Sequence, residues 1–201
     1  MMKKAGIYSS EISRGSLLPL ESRRVAKLLL TEPKKMEWVH AIEKENILQK
    51  ETPETARRQA KLIRKRLLTL DKFGWELIVN RENEVVNQLL FAAAIKDSKL
   101  LRDFMLNLYA SLQRRMEKSI SLVNWDDFLT ECSHYDPTVL EWNKSTKSKS
   151  FNSIINILVE AKYIDDSKTM NLTPQSLHPF VRRYLTERDE DCIIRCLERS
   201  K

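Results

Sequence analysis

Apolar residues recur at helical spacing over most of this chain. Pro19-Leu20-Glu21-Ser22 opens a predicted helix that runs through Leu30. A second begins at Pro33, with Met36, Val39, Ile42 and then Ile47 at helical intervals. Thr52-Pro53 is a strong start signal, since threonine caps free N–H groups and proline fits the first turn. That helix is expected to reach about Leu70. Phe73-Gly74-Trp75 marks a turn into another helix or its continuation. From Glu82 to Lys96 the positions Val85, Val86, Leu89, Leu90, Ala93 and Ala94 make a wide apolar stripe, so this helix should be deeply buried. One long helix is expected from Ser98 to Lys118, with Leu101, Phe104, Met105, Leu108 and Leu112 on its inner face.

The C-terminal third has a different rhythm. A short helix is predicted from Trp125 to Cys132, and Asp136-Pro137 breaks the chain. A further helix from Ser145 to Ala161 carries Phe151, Ile154, Ile155, Leu158 and Val159. Tyr163-Ile164, a polar turn at 165–169, and Met170-Asn171-Leu172 then read as a β-hairpin. Pro174 starts another helix through Leu185, and a last one holds Cys192, Ile193, Cys196 and Leu197. Two helices followed by a hairpin is the order of a winged helix, whose second helix enters the major groove while the hairpin touches the backbone. The expected fold is therefore mainly α. A helical bundle occupies residues 1–120, and a winged-helix-like, helix-turn-helix unit with a short hairpin occupies 121–201.

Composition agrees with a helical, globular chain. Among 201 residues there are only three glycines, few for an all-β protein or a phosphate-loop enzyme. The 35 basic and 28 acidic residues leave a net charge of +7, which points to a polyanionic partner without establishing one. Three cysteines, Cys132, Cys192 and Cys196, form neither a disulfide framework nor a Cys-x-x-Cys pair, and Cys192 with Cys196 suits burial on one helix face. The scattered His40, His134 and His178 show no zinc spacing, so no metal or cofactor is expected. Lys3 and Lys4 precede no long apolar stretch, and Leu89 to Ile95 is the longest apolar run, so neither a signal peptide nor a membrane span is expected. The expected location is the cytoplasm.

Two basic segments are candidates for contact with double-stranded DNA. On the helix starting at Pro53, the apolar Ala56, Ala60, Ile63, Leu67 and Leu70 fall within an arc of about 80°. Arg57, Arg58, Lys61, Arg64 and Lys65 gather on a neighbouring arc, with only Glu54 and Asp71 near as acids, while Arg66 points elsewhere. A segregated basic stripe can neutralise phosphates along a duplex. It can equally be a solvated face whose long side chains cover the core. The second segment, Asn143-Lys144-Ser145-Thr146-Lys147-Ser148-Lys149-Ser150, leads into the second helix of the winged unit without an acid. A helix start offers free N–H groups and a positive dipole end to phosphate, although Ser145 or Thr146 would also cap any helix. Lys168 at the hairpin tip fits a wing contact. Arg23, Arg24 and Lys27 on the first helix, and Arg182 with Arg183 after Pro179, point the same way, although such groups are usually just surface charge.

Enzyme chemistry finds little footing. Asp126-Asp127 are helix neighbours that diverge by about 100°, and Asp165-Asp166 looks like turn chemistry. Glu160 and Lys162 share the Glu-x-Lys spacing of some metal-dependent nucleases but fall at a helix end, not on a strand. No catalytic residue and no small-molecule substrate is therefore expected. Trp38, Trp75, Trp125 and Trp142 sit beside apolar positions and suit the core.

An ordered set of short stretches resembles the BrxA family, small proteins of bacterial BREX phage-exclusion systems. The stretches are Pro19-Leu20-Glu21-Ser22-Arg23, Glu45 to Lys50, Leu90 to Phe104, Trp125-Asp126-Asp127-Phe128, Trp142 with Ser145-Thr146, Leu158 to Ile164, Leu172-Thr173-Pro174 and Tyr184-Leu185. The resemblance implies a non-enzymatic, DNA-binding helical protein in phage defence, acting with other BREX components. It supplies no catalytic residues and no fixed DNA-contact motif. Members have been labelled inner-membrane proteins, a label for which this chain offers no span. Lys162 departs from the family, which favours glycine there, and glycine would help end the helix before the hairpin. An adaptor that meets an acidic protein through the same basic surface is the alternative.

Overall fold

In the computed structural model, residues 6–198 are described; Lys3 and Lys4 lie outside them. The described chain is mainly α. A 3₁₀ turn, Ser10–Arg14, precedes α1 (Pro19–Leu30) and the short α2 (Lys35–Val39), which continues as a π turn, His40–Lys44. Then come α3 (Pro53–Leu67), α4 (Lys72–Asn80) and α5 (Asn83–Asp97). Next, α6 (Lys99–Asp103), a π turn Phe104–Tyr109 and α7 (Ala110–Arg114) run on from one another. The remainder is α8 (Leu122–Tyr135), a 3₁₀ turn Pro137–Glu141, α9 (Lys144–Glu160), α10 (Pro179–Thr186) and α11 (Asp191–Leu197).

α5 is the axis of the fold. It buries ten of its residues on all sides, from Val85 to Ile95, as a helix apolar all round must. α1, α3, α4 and α6 pack around it, as do α10 and α11. The apolar core is one continuous cluster from Tyr8 to Leu197 and crosses residue 120. The Ser10–Arg14 turn packs on α9, and Tyr109 Oη donates to the Tyr163 carbonyl at 2.7 Å.

Four expectations need correction. Phe73-Gly74-Trp75 is not a turn but the first half of α4, opened by Asp71, whose carboxylate accepts from Gly74 N at 2.9 Å. Glycine is required inside this helix because a Cβ there would stand 2.6 Å from the Tyr184 hydroxyl of α10. The long helix from Ser98 is interrupted by the π turn and ends at Arg114. The widened turn advances the inner face by one residue. Tyr109 is buried in place of Leu108, which packs only partly against the core.

Third, Pro174 starts no helix; α10 begins at Pro179, capped by His178. The buried Gln88 amide of α5 holds the intervening strip extended, donating to Ser176 O at 3.0 Å and accepting from His178 N at 2.8 Å. Fourth, the hairpin forms no regular strands among the described residues. It is reduced to isolated antiparallel bridges, Ile164 with Leu172 and Ser119 with Asn171. Residue 171 pairs outside the hairpin because Ile120 N and Leu172 N bond across the 118–120 and 170–172 strips.

Candidate nucleic-acid interface

The entry to α9 is capped not by Ser145 or Thr146 but by Asn143, which accepts from Thr146 N at 2.8 Å. Lys144, Ser145, Ser148 and Lys149 are exposed, and Thr146 and Lys147 are half-buried. No acid occurs from Trp142 through Val159. Among the described residues, none of Lys144, Lys147 and Lys149 has an ion-pair partner. The helix's inner face, Phe151, Ile154, Ile155, Ile157 and Leu158, anchors this end to the core. Three uncompensated ammonium groups therefore stand at the positive end of a 17-residue helix.

At the far end α9 closes with a Schellman arrangement. Lys162 N donates to Val159 O at 3.0 Å and Tyr163 N to Leu158 O at 2.8 Å. Lys162 occupies the left-handed position, φ 64°. Glu160 turns away from any exposed site; its Oε2 accepts from Leu17 N at 2.6 Å and Leu18 N at 3.2 Å. That carboxylate pins the strip before α1 and holds Leu18 in a left-handed conformation, φ 53°. Its role in the fold was invisible in sequence, where a partner more than a hundred residues away leaves no local signal.

Lys168 is exposed at the tip of the 165–169 turn. Asp166 Oδ1 accepts from Lys168 N at 2.6 Å and Thr169 N at 3.0 Å. Packing of the turn works to raise the Asp165 pKa, but hydrogen bonds from Thr169, Asp166 N–H and Asn171 outweigh it and bring it down to about 2. The tip thus carries two aspartates beside one lysine, and Lys168 adds no net positive charge there.

The stripe on α3 is exposed throughout: Arg57, Arg58, Lys61, Arg64 and Lys65 all face solvent. It is not poor in acids once the chain is folded. Lys65 pairs with Asp97 at 2.9 Å and Glu11 at 3.1 Å, and the Asp97 hydrogen bond leads in holding its ammonium above its usual pKa. Arg57 lies 3.7 Å from Glu43. Arg64 rests over the Trp38 ring, 5.3 Å from its centre. Arg58 and Lys61 have no direct ion pair among the described residues. Arg66 leaves the stripe for the interior, donating to Ser16 O at 2.6 Å and Gly15 O at 3.2 Å. Burial lowers its pKa, opposed by the nearby Asp97 and Glu160 charges.

Among the described residues no group of three or more histidines, cysteines or acids could hold a metal, and no helix is long and apolar enough to cross a membrane. Cys132 and Cys196 are buried and Cys192 is half-buried, all unpaired.

The model of the BrxA family matches residues 6–189. The chain belongs to the BrxA family. A relative from Paramagnetospirillum magneticum (strain ATCC 700264 / AMB-1), named BREX protein BrxA, is 39% identical over 193 residues, covering 96% of this chain and 97% of the relative. One from Escherichia coli O9:H4 (strain HS), with the same name, is 32% identical over 198 residues, covering 98% and 93%. A crystal structure described as that of an uncharacterized protein from Magnetospirillum magneticum superposes with a TM-score of 0.86 at 39% identity, over 95% of this chain and 98% of that one. BrxA membership thus agrees with the family that the ordered stretches from Pro19 to Leu185 resemble.

Proposed function

We propose that this chain is a non-enzymatic, duplex-DNA-binding component of a BREX phage-defence system. The observation that carries the reading is the start of α9, where Lys144, Lys147 and Lys149 have no ion-pair partner among the described residues and residues 142–159 contain no acid. Exposed Ser145 and half-buried Thr146 add hydrogen-bonding groups suited to phosphate or base edges. The order of α8, α9 and the bridged 163–172 turn supports a winged-helix-like mode of docking, with α9 as the groove-facing helix. Lys168 would then lie beside the backbone. The α3 stripe is the weaker half of this reading. Three carboxylates from other elements offset Arg57 and Lys65, and their ion pairs compete with phosphate.

A salt titration of duplex affinity tests the proposal. Three lysine contacts give a slope of log affinity against log salt of about −2.7. The Lys144→Glu, Lys147→Glu, Lys149→Glu variant should lose that slope and most of its binding on any sequence. Equal affinity and slope, with helical content retained, would refute the role of α9.

A further inference from the structure

Two adjoining hollows run along the exposed face of α3. The larger, about 910 Å³, lies between α3, the α2 segment with its π turn, and the Ser10–Arg14 turn. The smaller, about 470 Å³, shares Trp38, Arg64 and Leu68 with it and continues to Trp75. Together they follow α3 from Glu54 to Leu68, a length of about 20 Å at helical rise.

Apolar surface is left open here. Of the three apolar residues that give α2 and its π turn the pattern of a core helix, only Ile42 is buried. Val39, which lines the larger hollow, is 41% exposed, and Met36, outside both hollows, 84%. Leu68, across the trough on the end of α3, is 50% exposed. Trp38 packs only partly against the core. The rim is mixed in charge with a cationic excess, Arg14, Arg57, Arg58, Lys61, Arg64 and Lys65 against Glu11, Glu43, Glu54 and Asp97. Arg58 and Lys61 have no direct ion pair among the described residues, and the Arg57–Glu43 contact, long at 3.7 Å and exposed on the arginine side, binds weakly.

A duplex suits this surface poorly. DNA offers Val39 and Leu68 no broad apolar face. An apolar floor with charged rims is instead the pattern of helix-in-groove recognition, and the unpaired cations set the sign of the partner's flanks. Strand addition has no sheet edge to use among the described residues.

We propose that this trough docks an amphipathic helix of another protein, about four turns long, with leucine-like residues facing Trp38, Val39 and Leu68 and carboxylates facing Arg58 and Lys61. The inference goes beyond DNA binding: it uses a different surface from the start of α9 and assigns Arg58 and Lys61 of the α3 stripe to a protein partner rather than to phosphate. The probe is a fluorescein-labelled helical peptide of about 16 residues, with leucines at i, i+3, i+4 and i+7 and glutamates on both flanks. Its anisotropy is followed against the full chain. Saturable binding is expected, weakened at least about tenfold by Val39→Asp with Leu68→Asp. Both positions are exposed, so the helical circular dichroism should be unchanged. The variant with Lys144, Lys147 and Lys149 changed to glutamate should bind the peptide as the parent does. If that variant loses duplex binding but keeps the peptide, both readings stand; peptide binding without any duplex binding by the parent removes the DNA reading alone. The docking proposal fails if a scrambled peptide of the same composition binds equally well, or if no binding saturates below about 100 μM. It also fails if a duplex displaces the peptide from the triple-glutamate variant, because the trough is then a DNA face.

Discussion

Replacing Lys162 by glycine should stabilise this protein. Lys162 is the left-handed residue of the α9 Schellman motif, φ 64°, where a Cβ crowds the following carbonyl. For a residue with a side chain that conformation costs roughly 1–2 kcal/mol. Glycine removes the clash but loses more backbone freedom on folding, roughly 0.5–1 kcal/mol. The difference leaves a gain of about 0.5–1 kcal/mol. Nothing else of value is lost. The Lys162 side chain is exposed and has no ion pair among the described residues. The bonds at this position are made by its backbone. Its N–H donates to Val159 O, and its carbonyl accepts from Thr173 Oγ1 and Gln175 Nε2, both at 2.7 Å. For a chain of this size the gain corresponds to a rise in Tm of about 1–4 °C. Thermal melts followed by far-ultraviolet circular dichroism would measure it, with Lys162→Ala as control. Alanine removes the charge but keeps the Cβ, and should stay within about 0.5 kcal/mol of the parent. A glycine variant no more stable than the alanine variant would refute the conformational argument.

Two further outcomes are expected besides the DNA and peptide titrations. Glu160→Ala should cost about 2–3 kcal/mol in urea unfolding, because it leaves Leu17 N–H and Leu18 N–H without their charged acceptor; the folded variant should bind duplex DNA unchanged, and a loss of affinity at equal foldedness would point to a direct role. The Asp165 carboxylate, with its folded pKa near 2 against an ordinary 3.8, stabilises the turn fully above about pH 4, and that contribution fades as pH falls through 2. Asp165→Asn should therefore differ from the parent in stability at neutral pH and converge with it in acid, and an NMR titration midpoint for Asp165 near its ordinary value would overturn this.

The helical elements were legible because their signals are local. Thr52 caps α3 as its sequence predicts, accepting from Thr55 N at 3.2 Å, and α9 starts within a residue of its expected place. The burial of α5 followed from an apolar stripe too wide for a surface helix. The candidate site was legible only in part. The lysines of α9 could be counted along the chain, and the absence of acids from 142 to 159 is itself a sequence property. The neighbours of the α3 stripe could not be read in this way. Glu11 reaches Lys65 across 54 positions, and no pattern on α3 announces it.

Sequence alone determined the fold class, the basic faces of α3 and α9, and the family, because periodicity, capping and ordered motifs act over a few residues. Tertiary structure decided what those faces amount to. Docking of the Ser10–Arg14 turn and the end of α5 beside α3 brought carboxylates to Lys65, while among the described residues Lys144, Lys147 and Lys149 gained no ion-pair partner. It also left Met36 and Val39 in solvent although their spacing suits a core, since burial depends on whether a partner surface arrives. Charge is written in the chain, but its compensation is set by which distant elements pack together.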